Sequence, residues 1–270
     1  MTRMSHALPI LSALLASLAT PALAATSDWA QSEGGRMRMM ASESANKGEI
    51  TAVLDIEPNA GWKTYWRDPG DAGVPPQIDL DGSTNLTLES VAFPVPEVVH
   101  DEEGRFIGYH GPARLLLTLR KEDPGQDANL NANVMIGLCD DICLPFQTRF
   151  TLSANEKPDA GEEALLSETK AALPAKPHDG FKPLSTVLQK DGKAIEVEYQ
   201  LPDAATGEPE VAIKPSKGLR IGHPIEVRRK GDRAHISIPV RKLPKDGKPA
   251  RLTVMIKSGA EAVESTLALD

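Results

Sequence analysis

The chain has 270 residues, with 30 basic against 38 acidic groups, a formal net charge of −8, 4% aromatic residues and 22 prolines. An acidic chain with no basic run repels phosphate backbones, which argues against nucleic acid as a partner. The absence of a Gly-x-Ser-x-Gly elbow, a P-loop or a Gly-x-Gly-x-x-Gly run leaves hydrolase and nucleotide chemistry without a foothold. Few aromatics and many prolines suit short strands broken by turns rather than a helical bundle, and the length suffices to bury a core without a disulfide.

In chain order, residues 1–24 read as a secretory signal peptide: a short start carrying Arg3, a small apolar run from Ala7 to Ala19, and a small-x-small cleavage site in Pro21-Ala22-Leu23-Ala24-Ala25. The apolar run is too short for a membrane span, which takes about 20 residues, and nothing later is apolar for long enough. These features predict export to the periplasm, an oxidising compartment where a disulfide persists, with no membrane span once the signal is removed. Period-two alternation then predicts strands over Arg36–Ala41, Glu49–Ile56, Ala113–Arg120, Asn131–Leu138 and Phe146–Leu152. An acidic start and Pro174 stop predict a helix over Glu162–Leu173. Alternation returns in Ala194–Tyr199, Ile225–Arg228, Ala234–Val240 and Arg251–Ile256. The fold class is therefore all-β: a β-sandwich over 25–155, a helix and linker over 156–180, and a second, smaller β-sandwich-like domain over 181–270.

The only two cysteines, Cys139 and Cys143, flank Asp140-Asp141-Ile142 between two alternating runs. Asp-Asp is turn-prone, and a hairpin with a three-residue loop sets its flanking residues opposite each other. Facing Cα atoms about 4.5–5.5 Å apart fall within the disulfide range of about 4.4–6.8 Å. As a staple, a closed loop of about five residues contributes roughly 2 kcal/mol, against about 4.7 for a hundred-residue loop. Three readings stay open from the residues: a redox-active pair, a structural disulfide, and a metal site. For the last, copper is the candidate ion, held by Cys139 and Cys143 with soft thioethers from Met37, Met39 and Met40 or with a histidine. Alternating methionines more often fill a core. His100, His110, His178, His223 and His235 show no zinc spacing beside the cysteines. No cofactor is implied. The aspartates raise a neighbouring thiol's pKa, although turn formation alone accounts for them.

The segment Val134–Gln147, with Cys-x-x-x-Cys-x-Pro after an alternating strand, resembles the N-terminal periplasmic domain of the thiol:disulfide interchange protein DsbD. So does Gly61-Trp62-Lys63-Thr64-Tyr65-Trp66-Arg67-Asp68-Pro69-Gly70-Asp71-Ala72-Gly73-Val74-Pro75-Pro76. The likeness covers about 30–155 and includes the form found in the copper-sensitivity suppressor ScsB. The resemblance implies an immunoglobulin-like sandwich with the cysteine pair at one edge. It further implies protein-disulfide reductase-type electron transfer from a membrane-embedded thiol reductant to periplasmic thioredoxin-like or disulfide isomerase proteins, of the kind that serves cytochrome c biogenesis or copper tolerance. Within that scheme Cys143 forms the mixed disulfide and Cys139 resolves it. A flexible aromatic loop caps the pair in the family, which maps to about Asp101–Tyr109 with Phe106 or Tyr109 as the cap. Tyr65, Asp68, Asp140 and Asp141 are the remaining candidate site-lining residues. Against full-length DsbD the sequence shows neither the membrane domain nor the C-terminal thioredoxin-like domain, so if it shuttles electrons a separate membrane reductant is expected to supply them.

Overall fold

The computed structural model describes residues 25–70, 73–101, 104–203, 206–223, 225–245 and 250–269. The predicted signal peptide and Asp71 lie outside the described residues. The first part of the chain forms β1 (Ala30–Ser32), β2 (Gly35–Glu43), β3 (Glu49–Pro58), β4 (Thr64–Gly70), β5 (Gln77–Asp79), β6 (Leu86–Ala92), β7 (Glu97–Asp101), β8 (Gly104–Tyr109), β9 (Ala113–Lys121), β10 (Asn129–Cys139) and β11 (Cys143–Ser153). After helix α1 (Ala160–Ala171) come β12 (Lys182–Leu188), β13 (Ala194–Gln200), β14 (Glu210–Pro215), β15 (Arg220–Ile221), β16 (Glu226–Lys230), β17 (Arg233–Lys242), β18 (Ala250–Ser258) and β19 (Glu261–Leu269).

Two sheets, ordered β1-β2-β3-β9-β6 and β11-β10-β5, enclose the first core, with β4-β8-β7 as a third sheet alongside. Strand alternation sets what they bury. Met37, Met39 and Ala41 of β2, Leu115, Leu117 and Leu119 of β9, and Val134, Ile136 and Leu138 of β10 all point inward, with Trp66 of β4 fully buried among them. Each fully buried large apolar side chain of this kind contributes about 1.5–3 kcal/mol. The result is an immunoglobulin-like sandwich.

Met40, on the opposite face of β2, packs with Val53 against Leu166 of α1. The helix begins earlier than the predicted Glu162, because Asp159 caps it. Glu162 N–H donates to the Asp159 carboxylate at 2.8 Å and Asp159 N–H donates to the Glu162 carboxylate at 3.0 Å.

The remaining strands form sheets β12-β13-β17-β15, with β16 also on β17, and β14-β18-β19. These surround a second core containing Phe181, Tyr199, Ile236 and Val254. The two units touch. Ala212 and Met255 reach into the first core, and Arg67 of β4 donates to the Glu264 carboxylate of β19 at 3.0 Å. The Arg67 guanidinium lies between the rings of Trp66 and Phe93, at 5.0 and 4.7 Å from their centroids.

Candidate functional site

The β10–β11 hairpin places Cys139 directly opposite Cys143, and the two form a disulfide with a Cα separation of 4.1 Å. That is shorter than the predicted 4.5–5.5 Å, and the hydrogen-bond pattern gives the reason. Cys139 exchanges both backbone hydrogen bonds with Lys63 on its other side, at 2.8 and 2.9 Å, while Asp140 N–H donates to the Ile142 carbonyl at 3.0 Å. The cysteines are therefore a non-hydrogen-bonded pair, the kind in which facing residues come closest.

The bridge is asymmetric. Cys139 is 1% exposed and clusters with Tyr65 and Phe106, whereas Cys143 is exposed. One sulfur is thus sealed by aromatic rings and the other faces solvent.

The motif Gly61–Trp66 lies along the outer edge of β10, and period-two alternation sorts its side chains. Lys63 and Tyr65 share the face of Cys139. Trp62 turns to the other face and packs against the core, and Thr64 Oγ1 donates to the Gly137 carbonyl at 3.0 Å. Two glycines lie beside the Tyr65 ring, Gly137 and Gly73. A Cβ at Gly137 would sit 2.9 Å from Val74 Cβ and 3.0 Å from the Val74 carbonyl oxygen, so no side chain fits beneath Val74, and the Tyr65 ring lies at contact distance, 3.4 Å. Gly73, at φ +127°, lies against the other parts of the ring and has no space for a Cβ either. The Tyr65 hydroxyl reaches 3.6 Å from Cys143 Sγ. A bridged sulfur has no proton, so the tyrosine is the donor. Burial raises the Tyr65 pKa above the ordinary tyrosine value, which keeps the phenol protonated.

Phe106 meets Tyr65 edge-on at 5.6 Å, carries His110 at 4.9 Å, and lies under the Lys63 ammonium at 5.1 Å. It sits in β8, paired with both β4 and β7, so a strand side chain covers Cys139 where a flexible loop was predicted. Residues 102–103, between β7 and β8, lie outside the described residues. Tyr109 does not share this position. Three residues from Phe106 on the same strand, it faces the opposite side, enters the sandwich core and donates to the Pro94 carbonyl at 2.9 Å.

Asp68 also lies elsewhere. It lines a hollow of about 280 Å³ between the two units, with Arg105, Arg220 and His223. Burial raises its pKa, against the lowering effects of the Gly70 N–H and of Arg105, His223 and Lys214. Asp140 and Asp141 are exposed in the turn.

Sequence reasoning missed Lys63 as a neighbour of Cys139 and Ile142 as an exposed apolar tip. The first was legible in the parity that Lys63 shares with Tyr65. Met37, Met39 and Met40, the candidate copper thioethers, are all buried in apolar clusters. No group of three or more His, Cys, Asp or Glu suited to a metal occurs among the described residues.

A sandwich bearing a half-exposed Cys-x₃-Cys bridge at a hairpin end defines a thiol–disulfide domain of immunoglobulin-like fold. Residues 36–155 match the family "Thiol:disulfide interchange protein DsbD, N-terminal". Among solved structures, the N-terminal periplasmic domain of ScsB from Proteus mirabilis aligns at TM-score 0.72 and 20% identity, covering 91% of this chain and 98% of that one. A conserved domain protein from Bacillus anthracis aligns at TM-score 0.24 and 9% identity, covering 90% and 89%. A Pleurotus ostreatus lectin aligns at TM-score 0.27 and 13% identity, covering 93% and 84%. At those scores neither bears on the fold. Comparison with curated proteins gives no match.

Proposed function

We propose that this chain is a periplasmic thiol:disulfide interchange protein. It relays electrons through Cys139 and Cys143 from a membrane-embedded thiol reductant to periplasmic thioredoxin-like or disulfide isomerase proteins. The observation that carries the reading is the asymmetry of the bridge, with Cys143 exposed and Cys139 sealed. An inert staple has no use for an accessible sulfur, whereas exchange requires one.

In the reduced protein the Cys143 thiolate attacks one sulfur of the acceptor's disulfide. A bond forms between Cys143 and that sulfur, and the acceptor's other sulfur leaves as a thiolate. Cys139, after losing its proton, then attacks Cys143 Sγ. The Cys139–Cys143 bridge closes, the acceptor leaves as a dithiol, and two electrons have moved. The register that holds the cysteines opposite each other makes the second step intramolecular and fast. Tyr65 donates its hydroxyl to the Cys143 thiolate and favours the charged form. Phe106 keeps solvent and stray thiols from Cys139.

The site lies wholly within 25–155, supporting that range as the exchange domain. The separate second core supports 181–270 as a further domain, docked through Arg67 and Glu264. No helix among the described residues is long and apolar enough to cross a membrane.

The test is a trapping experiment with an oxidised thioredoxin-like protein. Reduced Cys139→Ser should accumulate a mixed disulfide through Cys143, and Cys143→Ser should form none and transfer no electrons. If both variants still reduce the acceptor, the roles assigned to the pair are wrong.

A further inference from the structure

The turn between the cysteines does more than close the hairpin. Ile142 is 61% exposed, whereas Leu138, Phe146, Tyr65 and Phe106 around the bridge are buried. An isolated exposed isoleucine is ordinary on a protein surface. What sets this one apart is covalent adjacency to the exposed sulfur. A disulfide bond is about 2.05 Å long, so any partner bonded to Cys143 must lie against the residue before it.

The tip is also preformed. The hydrogen bond from Asp140 N–H to the Ile142 carbonyl, 3.0 Å, fixes the loop, so little ordering is lost when Ile142 meets a partner. Asp140 and Asp141 immediately precede it, and both are exposed. Lys63, the nearby cation, lies over the Phe106 ring. The end of the hairpin thus presents one aliphatic side chain and two carboxylates beside the reacting sulfur.

We propose that this tip selects the exchange partner. Ile142 seats in an apolar hollow next to the partner's disulfide, and Asp140 and Asp141 face basic side chains on its rim. The inference rests on the exchange function proposed above and adds the chemistry of the acceptor: a protein whose reactive disulfide is flanked by an apolar hollow and positive charge. Partners with acidic rims are disfavoured by the two aspartates and by the net charge of −8, since like charges across an interface cost both encounter rate and affinity.

The test uses the full chain, pre-reduced, with three disulfide probes: neutral hydroxyethyl disulfide, a synthetic peptide disulfide flanked by leucine and lysine, and the same peptide with serine and glutamate in those places. Each reaction passes two electrons from the Cys139/Cys143 dithiol to the probe, giving two probe thiols (or one dithiol) and the closed bridge. The wild type should reduce the leucine–lysine peptide at least about ten-fold faster than the serine–glutamate peptide. Ile142→Ser should lower the rate ratio of the leucine–lysine peptide to hydroxyethyl disulfide by about ten-fold, or about 1.4 kcal/mol, a fraction of what full burial of the side chain supplies. Asp140→Asn with Asp141→Asn should flatten the salt dependence of that ratio. Equal rates on the two peptides, or a ratio that Ile142→Ser does not move, would overturn the proposal. If hydroxyethyl disulfide itself is not reduced, the exchange function fails and this inference fails with it.

Discussion

Tyr65→Phe isolates a single contribution to the chemistry. The phenyl ring keeps its place between Gly73, Gly137 and Phe106, so packing is retained and only the hydroxyl 3.6 Å from Cys143 Sγ is lost. A hydrogen bond to a charged group contributes about 1.5–3 kcal/mol. The long distance and the exposure of Cys143 place this one just below that range, about 1.4 kcal/mol. Since about 1.36 kcal/mol corresponds to one pKa unit, the Cys143 thiol pKa should rise by about one unit in the variant. The thiolate fraction below the pKa then falls about ten-fold. Because a more basic thiolate is also a better nucleophile, with a Brønsted coefficient of about 0.4–0.5, the exchange rate at neutral pH should fall only about threefold. The assay is the pH profile of iodoacetamide alkylation at Cys143, with Cys139→Ser as the common background. Superimposable profiles with and without the hydroxyl would refute the role given to Tyr65.

Other consequences follow from groups at the boundary between the two units. Burial raises the Asp68 pKa in the folded chain, so the native state binds this proton more tightly than the unfolded state. The favourable effect is fully present below the unfolded value, about 3.9, and is lost as pH rises through the folded pKa. Asp68→Asn should therefore raise the melting temperature at pH 7, and the gain should vanish below about pH 4; a pH-independent difference would show that the environment of Asp68 does not disfavour its charge. The Arg67 and Glu264 side chains are only 12% and 25% exposed, and removing one partner of a buried pair strands the other. Glu264→Gln, which keeps an acceptor for Arg67, should reduce stability to urea by about 2 kcal/mol, whereas a loss under about 0.5 kcal/mol would mean that solvent already screens the pair.

Much of this molecule is legible in its sequence because one face of each long strand is buried. The alternation in Arg36–Ala41, Ala113–Arg120 and Asn131–Leu138 maps onto β2, β9 and β10, and the three-residue loop sets Cys139 against Cys143 as its length requires. Among the strands that alternation does not mark, β5 has three residues and β6 is broken by a register shift between Leu88 and Ser90, whereas β19 is a regular nine-residue strand. β7 and β8 read as a loop because Gly104 and Gly108 interrupt their apolar pattern. Gly108 lies so close to the Thr64 carbonyl and the Phe106 ring that no side chain fits. The same irregularity hid the site's long-range part. Nothing local assigns Tyr65 to Cys143 or Asp68 to the second unit, since both placements arise from β4 bending between its two contacts with β8. Tyr109 was misplaced for a simpler reason, since its odd spacing from Phe106 puts the two rings on opposite faces.

The central claim is that the Cys139–Cys143 bridge opens and closes in normal work, and its reduction potential tests that claim most directly. Equilibration of the full chain against dithiothreitol and glutathione buffers, read by alkylation of free thiols, should place the couple well above about −300 mV, within reach of physiological dithiols. A potential below about −300 mV, with the bridge intact in every glutathione buffer, would make it a structural staple and contradict the account.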